Sequence, residues 1–184
     1  MIKTKKIETP LGEMTAAATE EGICLLEFSD DKILPDELSE LKELLMTEIK
    51  EGRSRHLRHL KKQLKEYFGG KRKVFDLPLV TPGTEFQKAV WNELLKIPYG
   101  ETISYHKQAE AINNPGAVRA VGSANGSNRI AIIIPCHRVI GADRKLVGYG
   151  GGLKRKLWLL DHERKYSGKP VDISLFCHDF YTII

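Results

Sequence analysis

Three short stretches at the start of the chain have the composition of β-strands. Residues 2–9, 13–18 and 22–29 are β-prone, and Pro10-Leu11-Gly12 and Glu20-Glu21-Gly22 separate them. Proline presets φ and glycine tolerates positive φ, so both favour turns between strands. The pattern predicts a small antiparallel meander.

Apolar residues then recur at helical spacing in two segments. The first face consists of Leu38, Leu41, Leu45 and Ile49; the second consists of Leu57, Leu60, Leu64 and Phe68 and is followed by Gly69-Gly70. Strands followed by helices predict a small α/β or α+β domain. The proline-bearing segment 77–83 interrupts all periodicity, and we place the boundary there: an N-terminal domain at 1–78, a second domain at 79–168 and a C-terminal tail at 169–184.

The second half begins with three predicted helices. The Thr84 side chain can accept a hydrogen bond from the first turn of the first helix, and Gln87 can accept one from the backbone N–H of Thr84, which is a capping box. One apolar face follows, made of Phe86, Val90, Leu94 and Ile97. Residues 104–112 form the second helix, and Asn114-Pro115 can cap and begin a third that reaches Asn125-Gly126. Two helices joined by a tight turn indicate a helix-turn-helix, so we expect this domain to be mainly helical.

The remaining segments of the second half are shorter. Residues 131–134 are a continuous apolar run, which predicts a buried strand ending at Pro135-Cys136. A glycine-rich loop at 148–152 precedes a last helix at 153–165.

Charge is concentrated in the second half of the chain. The formal net charge is +5, and residues 81–168 carry 13 Lys/Arg against 7 Asp/Glu. A positive excess on one domain suits a partner that carries phosphates, although proteins that never bind nucleic acid share this feature.

The chain has three cysteines, Cys24, Cys136 and Cys177, and none of them forms a CxxC pair. This count favours a reduced, cytoplasmic setting rather than a disulfide framework. No run approaches the ~18 apolar residues of a membrane span, so we expect neither secretion nor a membrane partner.

Cys136-His137 is the most suggestive pair for chemistry, because a thiol becomes a nucleophile when a neighbouring base takes its proton. Taken alone, the pair more often indicates a buried structural cysteine beside a chance histidine. Arg119 and Glu163 are by the same standard ordinary surface charges.

Several segments together resemble the O6-alkylguanine-DNA alkyltransferase family. They occur in the family's order: Thr81-Pro82-Gly83-Thr84-Glu85-Phe86-Gln87, Val90-Trp91, Ile97-Pro98-Tyr99-Gly100, Ser104-Tyr105, Ala117-Val118-Arg119-Ala120-Val121-Gly122, Pro135-Cys136-His137-Arg138-Val139 and Gly148-Tyr149. The resemblance is dense over residues 81–165 and loose over the first 80. It implies a ribonuclease H-like N-terminal domain and a winged-helix-like second domain.

The resemblance also implies a reaction. Cys136 takes the alkyl group from O6 of guanine irreversibly and once per molecule, His137 removes its proton through a bridging water, and Glu163 polarises the histidine. Tyr105 matches the family's tyrosine that donates to guanine N3. Activity on O4-methylthymine is left open.

Other positions are implied to shape the base pocket. The backbone carbonyl of Val139 accepts from the guanine amino group, Tyr149 forms one wall, and Asn128 ties the recognition helix to the active-site strand. Gly150 lies where some members carry a hydroxyl residue, which leaves a backbone donor near O6. Three consecutive glycines should make this wall mobile.

By the same resemblance the partner is double-stranded DNA containing O6-alkylguanine. The guanine is flipped out of the helix, and Arg119 fills the gap that it leaves. Arg129, Arg138 and Lys107 are expected to contact phosphates, with docking in the minor groove. We expect a monomer with no cofactor. We also expect no metal, because the first half lacks the clustered Cys and His of zinc-binding members.

Three rival functions remain at this stage. A noncatalytic alkyltransferase-like lesion binder would lack the acceptor cysteine, and a plain helix-turn-helix regulator would have no use for Cys136-His137. A thiol hydrolase would turn over many times. We expect Cys24 and Cys177 to be dispensable, since neither lies in a motif with a neighbouring base.

Overall fold

The N-terminal sheet is a meander extended by one parallel strand. The computed structural model describes residues 1–168, so the tail predicted at 169–184, with Cys177, lies outside them. Strands β1 (Ile2–Thr9), β2 (Gly12–Ala18) and β3 (Ile23–Phe28) are antiparallel neighbours, which confirms the predicted meander. A short strand β4 (Ile49–Glu51) pairs in parallel with β1, giving the order β3-β2-β1-β4.

The first helix, α1 (Leu34–Leu44), ends earlier than predicted. Met46 has a left-handed φ of 44°, which a continuing helix cannot contain. Ile49 was expected on this helix and lies instead in β4, opposite Ile2. The free edge of β1 offers unpaired backbone groups, and Ile49 also packs against the cluster around Ile2 and Leu41. Helical spacing alone could not reveal that competing partner.

Helix α2 (Arg55–Phe68) lies on the other face of the sheet and ends before Gly69-Gly70 as predicted. The side chain of Ser54 accepts a hydrogen bond from the backbone N–H of His56. Its leucines pack against alternate residues of β1 and β2. The sheet is therefore covered by a helix on each face.

The second half contains the predicted helices α3 (Glu85–Leu94), α4 (Tyr105–Ala111) and α5 (Val118–Gly126). The capping box of Thr84 and Gln87 is present. The side chain of Asn114 makes no capping bond, and Pro115 begins a single 3-10 turn before α5 instead. Helices α4 and α5 are held by reciprocal amide hydrogen bonds between Gln108 and Asn125, at 2.8 and 3.2 Å.

The apolar run at 131–134 is buried but is not a strand. Only Ile130 bridges to β3, where the N–H of Leu26 donates to the carbonyl of Arg129 and the N–H of Ala131 donates back to Leu26, both at 2.8 Å. The chain then turns, and Ile132 has a φ of 72°. A buried run satisfies its backbone groups equally well through local turns, which hydropathy does not distinguish from a strand.

The last helix, α6 (Leu153–Ser167), returns to the N-terminal domain. The rings of Trp158 and His162 stack with centroids 4.9 Å apart, and Nε2 of His162 lies 2.8 Å from the carbonyl oxygen of Tyr67 in α2. One apolar core therefore runs through both halves of the chain. Among residues 1–168, no helix is long and apolar enough to cross a membrane.

Glu27, on β3, is 4% exposed and accepts a hydrogen bond from the N–H of Phe28. Burial, with repulsion from Glu37 and Asp31, raises the pKa of Glu27 to about 8. The folded state therefore holds a proton that the unfolded state has lost between pH 4.5 and 8, so this group makes the protein less stable as pH rises through that window. Glu27→Gln removes the ionisable group.

We expect Glu27→Gln to raise the free energy of unfolding by on the order of 2 kcal/mol at pH 9 and very little at pH 5. Urea unfolding at both pH values measures this. Glu21→Gln, at an exposed turn, is the matched control and should have no effect at either pH. An equal effect of Glu27→Gln at pH 5 and pH 9 would contradict the assigned cause.

Candidate active site

Cys136 lies at the start of a 3-10 turn, Cys136–Arg138, that leads into strand β6 (Val139–Ile140). This strand pairs in parallel with β5 (Ile103–Ser104), which immediately precedes α4. The pairing brings the thiol beside Tyr105, the first residue of that helix. Two segments more than 30 residues apart in sequence thus form one site.

Asn128 fixes the backbone around the thiol. Its Nδ2 donates to the carbonyl of Ile134 at 2.8 Å and lies 3.3 Å from Sγ of Cys136, while its Oδ1 accepts from the N–H of Ile130 at 3.0 Å. Asn128 is 5% exposed. It therefore holds the turn that presents Cys136 and donates a hydrogen bond to the sulfur.

The resting site is electrically neutral at the thiol. Burial raises the pKa of Cys136 to about 11, although the Asn128 hydrogen bond opposes this. Burial also lowers the pKa of His137, outweighing the attraction of Glu163. Both groups are therefore uncharged near pH 7, and the histidine is free to accept a proton.

Glu163 lies at the centre of a buried polar network and is itself 0% exposed. Tyr67 donates its hydroxyl to this carboxylate at 2.8 Å, and the N–H of Gly100 donates at 3.0 Å. Arg138 donates through Nε at 2.8 Å and Nη2 at 3.0 Å. Burial disfavours the ionised form, but His137 and Arg138 outweigh it and hold the pKa of Glu163 well below its usual range.

His137 is oriented by this network. Its Nε2 lies 2.8 Å from Oε1 of Glu163, so an ionised carboxylate holds the proton on Nε2. Its Nδ1 is buried and has no hydrogen-bond partner among residues 1–168. That nitrogen is consequently the basic atom of the ring.

A cavity of about 80 Å³ opens at Cys136. It is lined by residues of α4, α5 and the glycine-rich loop: Tyr105, Gly122, Asn125, Gly126, Cys136, Gly148, Tyr149 and Gly150. The hydroxyl of Tyr105 donates to the carbonyl of Val147 at 3.2 Å, and the hydroxyl of Tyr149 is buried and finds no hydrogen-bond partner within residues 1–168. The cavity thus combines aromatic walls with hydroxyl groups beside a thiol.

Lys156 is a residue that the sequence analysis missed. Its side chain is 0% exposed, and Nζ donates to the carbonyls of Val147 at 2.6 Å and Gly148 at 2.9 Å. Burial lowers the pKa of Lys156 to about 8. Lys156 thereby ties the cavity loop to α6. The sequence offered one signal of its role: it lies in the first turn of a helix, where the helix dipole makes a positive charge unfavourable.

The same loop is attached to the N-terminal domain. Arg155 donates to the carbonyl of Gly151 at 3.3 Å and to Asp30 at 2.9 Å, and its guanidinium lies 4.0 Å from the ring centroid of Phe28. A Cβ on Gly151 would lie 2.6 Å from that ring. The predicted mobility of the glycine wall is therefore limited at Gly151 by close packing.

The predicted nucleic-acid contacts fall into two groups. Arg119 and Lys107 are exposed on α5 and α4. Arg138 is paired with Glu163, and Arg129 bridges to Glu40 and the carbonyl of Pro82; they are 6% and 8% exposed. Both of these guanidinium groups are buried and bound within the protein, which corrects their expected role as phosphate ligands.

The remaining predicted residue, Val139, is 0% exposed in β6 and opposite Ile103. On α5, the exposed positions carry small side chains apart from Arg119: Ala120, Ser123 and Gly126. Within residues 1–168, no group of three or more His, Cys, Asp or Glu is placed to hold a metal ion.

Two family models match the chain. Residues 2–81 match the ribonuclease-like domain of 6-O-methylguanine DNA methyltransferase, and residues 85–165 match the DNA-binding domain of the same family. The two matches meet near the boundary predicted at 78/79, which itself stays a prediction.

Curated relatives and solved structures agree with these matches. The chain is 44% identical over 176 residues to a methylated-DNA–protein-cysteine methyltransferase of Mycolicibacterium paratuberculosis, covering 96% of this chain and 99% of the relative. It is 46% identical to one of Methanosarcina acetivorans, covering 85% and 94%. The crystal structure of the Mycobacterium tuberculosis O6-methylguanine methyltransferase superposes with a TM-score of 0.78 at 42% identity, covering 96% and 99%. A complex of the M. tuberculosis protein with DNA superposes with a TM-score of 0.75 at 42% identity, covering 95% and 98%.

Proposed function

The chain belongs to the 6-O-methylguanine DNA methyltransferase family, and from that premise we propose that Cys136 is its alkyl acceptor. The activity of the protein is DNA repair, by transfer of an alkyl group from DNA to a cysteine. We propose that the substrate is a duplex carrying O6-alkylguanine and that the protein acts on it as a monomer. One chain supplies every residue to which we assign a role.

One observation carries the choice of Cys136. Of the two cysteines within residues 1–168, it is the one that lines a cavity with Tyr105 and Tyr149 and precedes a histidine held by a carboxylate. Cys24, by contrast, is 1% exposed, and burial raises its pKa to about 11 with no base beside it. A buried structural cysteine needs none of the groups that surround Cys136.

The transfer is an SN2 displacement. The sulfur of Cys136 forms a bond to the alkyl carbon, the bond from that carbon to O6 breaks, and its electron pair passes to guanine. The thiol proton leaves to Nδ1 of His137 through a bridging water, and the guanine takes up a proton as it departs. Atoms and charges balance, and the protein ends as a thioether that cannot react again.

The other cavity residues have roles consistent with this reaction. The hydroxyl of Tyr105 would donate its hydrogen bond to guanine N3 instead of to the carbonyl of Val147. An acidic donor there would stabilise the leaving base as it becomes negative. The carbonyl of Val139 and the backbone N–H of Gly150 would bind the base edges, with Tyr149 as one wall. Asn128 positions the acceptor. Since Cys136 lies within a cavity rather than on a flat surface, a base stacked in a duplex must be flipped out to reach it.

A single experiment tests the proposal. The protein is incubated with a duplex containing methyl-labelled O6-methylguanine, then digested, and the label is located by mass spectrometry. We expect one label per protein, on the peptide that contains Cys136. Label released as a small molecule over many turnovers would indicate a thiol hydrolase, and binding without transfer would indicate a lesion-binding protein.

Arg119 is exposed on α5 and is proposed to hold the flipped state by filling the gap in the duplex. We expect Arg119→Ala to slow repair of a duplex lesion about tenfold. The inserted side chain would offset ~1.4 kcal/mol of the cost of unstacking the base, and the variant loses that offset. Reaction with free O6-benzylguanine should be unchanged, because a free base needs no extrusion. Second-order rate constants for both substrates measure this.

Lys107→Ala is the matched control for Arg119→Ala. It removes one exposed charge from the same helix-turn-helix, so it should weaken duplex binding but leave the rate at saturating duplex unchanged. The loss in Arg119→Ala should persist at saturation. Equal losses on duplex and free base would assign Arg119 to the fold or the pocket instead.

A further inference from the structure

The N-terminal domain has its charges separated in sequence. Residues 53–65 carry six Lys/Arg and no Asp/Glu, whereas residues 20–48 carry two Lys/Arg and ten Asp/Glu. Such separation leaves one face of the domain strongly positive. The active site uses none of the residues in the positive segment.

The positive segment forms a concave surface together with β1. A cavity of about 430 Å³ is lined by Lys5, Arg53, Ser54, Arg55, Leu57, Arg58 and Lys61. We refer to its five cations, Lys5, Arg53, Arg55, Arg58 and Lys61, as the basic groove. All five are exposed, and no acidic residue lines the cavity. A second cavity of about 590 Å³ shares Arg53 and Arg55 and adds Lys3, with one acidic residue, Glu20.

The cations of the basic groove lack acidic partners. Nearby surface lysines do pair: Lys6 lies 2.8 Å from Glu13, and Lys62 lies 4.0 Å from Glu66. Within the described part of the chain, no groove residue forms an ion pair with a carboxylate; Nε of Arg55 lies 3.4 Å from Nε2 of His56. Their charges are consequently available to an external anion.

The placement of these cations also works against the helix that carries them. Arg55 is the first residue of α2 and Arg58 the fourth, and the first turn contains no acidic residue. Cations near a helix N-terminus are unfavourable, because the dipole is positive there. An anion bound in the groove would offset this cost, because it would be attracted both to the cations and to the positive end of the helix dipole.

The basic groove lies away from the helix-turn-helix. Strand β3 contacts the second domain through Ile23 and Leu26, and β1, which carries Lys5, is two strands farther along the sheet. The residues that line the basic groove lie on β1, on α2 and in the segment just before α2, and none of them belongs to α4 or α5. The basic groove is therefore built from other elements than the helix-turn-helix and is a second surface.

We propose that the basic groove binds the phosphate backbone of a second DNA segment while the helix-turn-helix holds the first. The proposal rests on DNA being the partner of this protein. Exposed arginines and lysines along one side of a helix suit a row of phosphates, and arginine can bind a phosphate through two parallel hydrogen bonds. The protein would thereby bridge two stretches of duplex.

A bridging assay tests the proposal. An undamaged duplex is immobilised, the protein is added, and retention of a second, labelled duplex is measured. The groove variant carries Arg55→Gln, Arg58→Gln and Lys61→Gln. The control variant carries Lys32→Gln, Lys42→Gln and Lys71→Gln, which removes the same charge from exposed positions outside the groove.

We expect the wild type and the control variant to retain the labelled duplex and the groove variant to lose at least ~90% of it. Equal losses in both variants would mean that net charge, not the groove, is responsible. Retention by the groove variant, or none by the wild type, would likewise overturn the proposal.

Transfer to free O6-benzylguanine is measured alongside on all three proteins. Equal rates would show that the groove variant is folded and that its bridging defect is separate from the chemistry. Failure of alkyl transfer in the wild type would refute the proposed acceptor and would leave the bridging result to be judged by itself.

Discussion

Cys136→Ser is expected to abolish alkyl transfer completely while leaving affinity for a lesion-bearing duplex unchanged. Serine keeps the shape of the site, and Asn128 can donate to its hydroxyl as it does to the thiol. An alcohol is a far weaker nucleophile than a thiol that can lose its proton. The exposed surface of α5 is untouched, so binding should remain.

The measurement is the label on the intact variant protein, together with duplex affinity by fluorescence anisotropy. Cys24→Ala is the matched control: this cysteine is buried beside Leu25 and away from the cavity, so transfer should persist with a modest loss of stability. Label found on the Cys136→Ser protein would refute Cys136 as the acceptor.

Glu163→Gln is expected to reduce both stability and reactivity. The carboxylate accepts bonds from Tyr67, Gly100 and Arg138 and lies against His137. A glutamine brings an amide N–H toward these donors and leaves the Arg138 cation buried without its counter-charge. Breaking a buried pair in this way costs about 3–5 kcal/mol of stability.

The pH dependence of that loss is a further test of the ionised state. Because the folded pKa of Glu163 lies below its ordinary value of 4.5, its contribution is full above that value and disappears as pH falls. Urea unfolding should show a large difference between wild type and Glu163→Gln at pH 7.5 and a smaller one at pH 4. A constant difference would contradict an ionised Glu163.

Reactivity should fall in the same variant for a separate reason. His137 loses the charge that keeps its proton on Nε2 and makes Nδ1 basic, so the rate with free O6-benzylguanine should drop by at least about tenfold. Glu43→Gln, an exposed position on α1, is the control and should match the wild type in stability and rate. A stable Glu163→Gln protein with a normal rate would refute the assigned role.

Local signals in the sequence were sufficient for most elements. The meander, α2, the capping box of Thr84 and Gln87 and the helix-turn-helix follow from turn residues, caps and periodicity, which act within a few residues. The likeness of Pro135-Cys136-His137 and its neighbours to the alkyltransferase family gave the fold class and the reaction. These features depend on residues that are close together in the chain, so a single sequence is enough to predict them.

Only the tertiary structure decided where the charged side chains go. Arg138 and Arg129 look like exposed phosphate ligands in sequence, yet both are buried against partners that lie far away along the chain. Lys156 looks like surface charge and instead holds the carbonyls of Val147 and Gly148 inside the fold. A buried charge requires its counterpart, and that counterpart is chosen by folding rather than by neighbours in sequence.

The folded structure also decided the conformation of two backbone segments that the sequence analysis assigned wrongly. Ile49 continues a helical pattern but pairs with the open edge of β1, and residues 131–134 have the hydropathy of a strand but turn after one bridge to β3. The partner of Ile49, Ile2, lies 47 residues away, whereas the N–H of Ile134 donates to the carbonyl of Ile130 within the same turn, at 3.0 Å. Periodicity records which side chains are buried, whereas the conformation of a buried segment depends on whether a distant strand or a local turn satisfies its backbone polar groups.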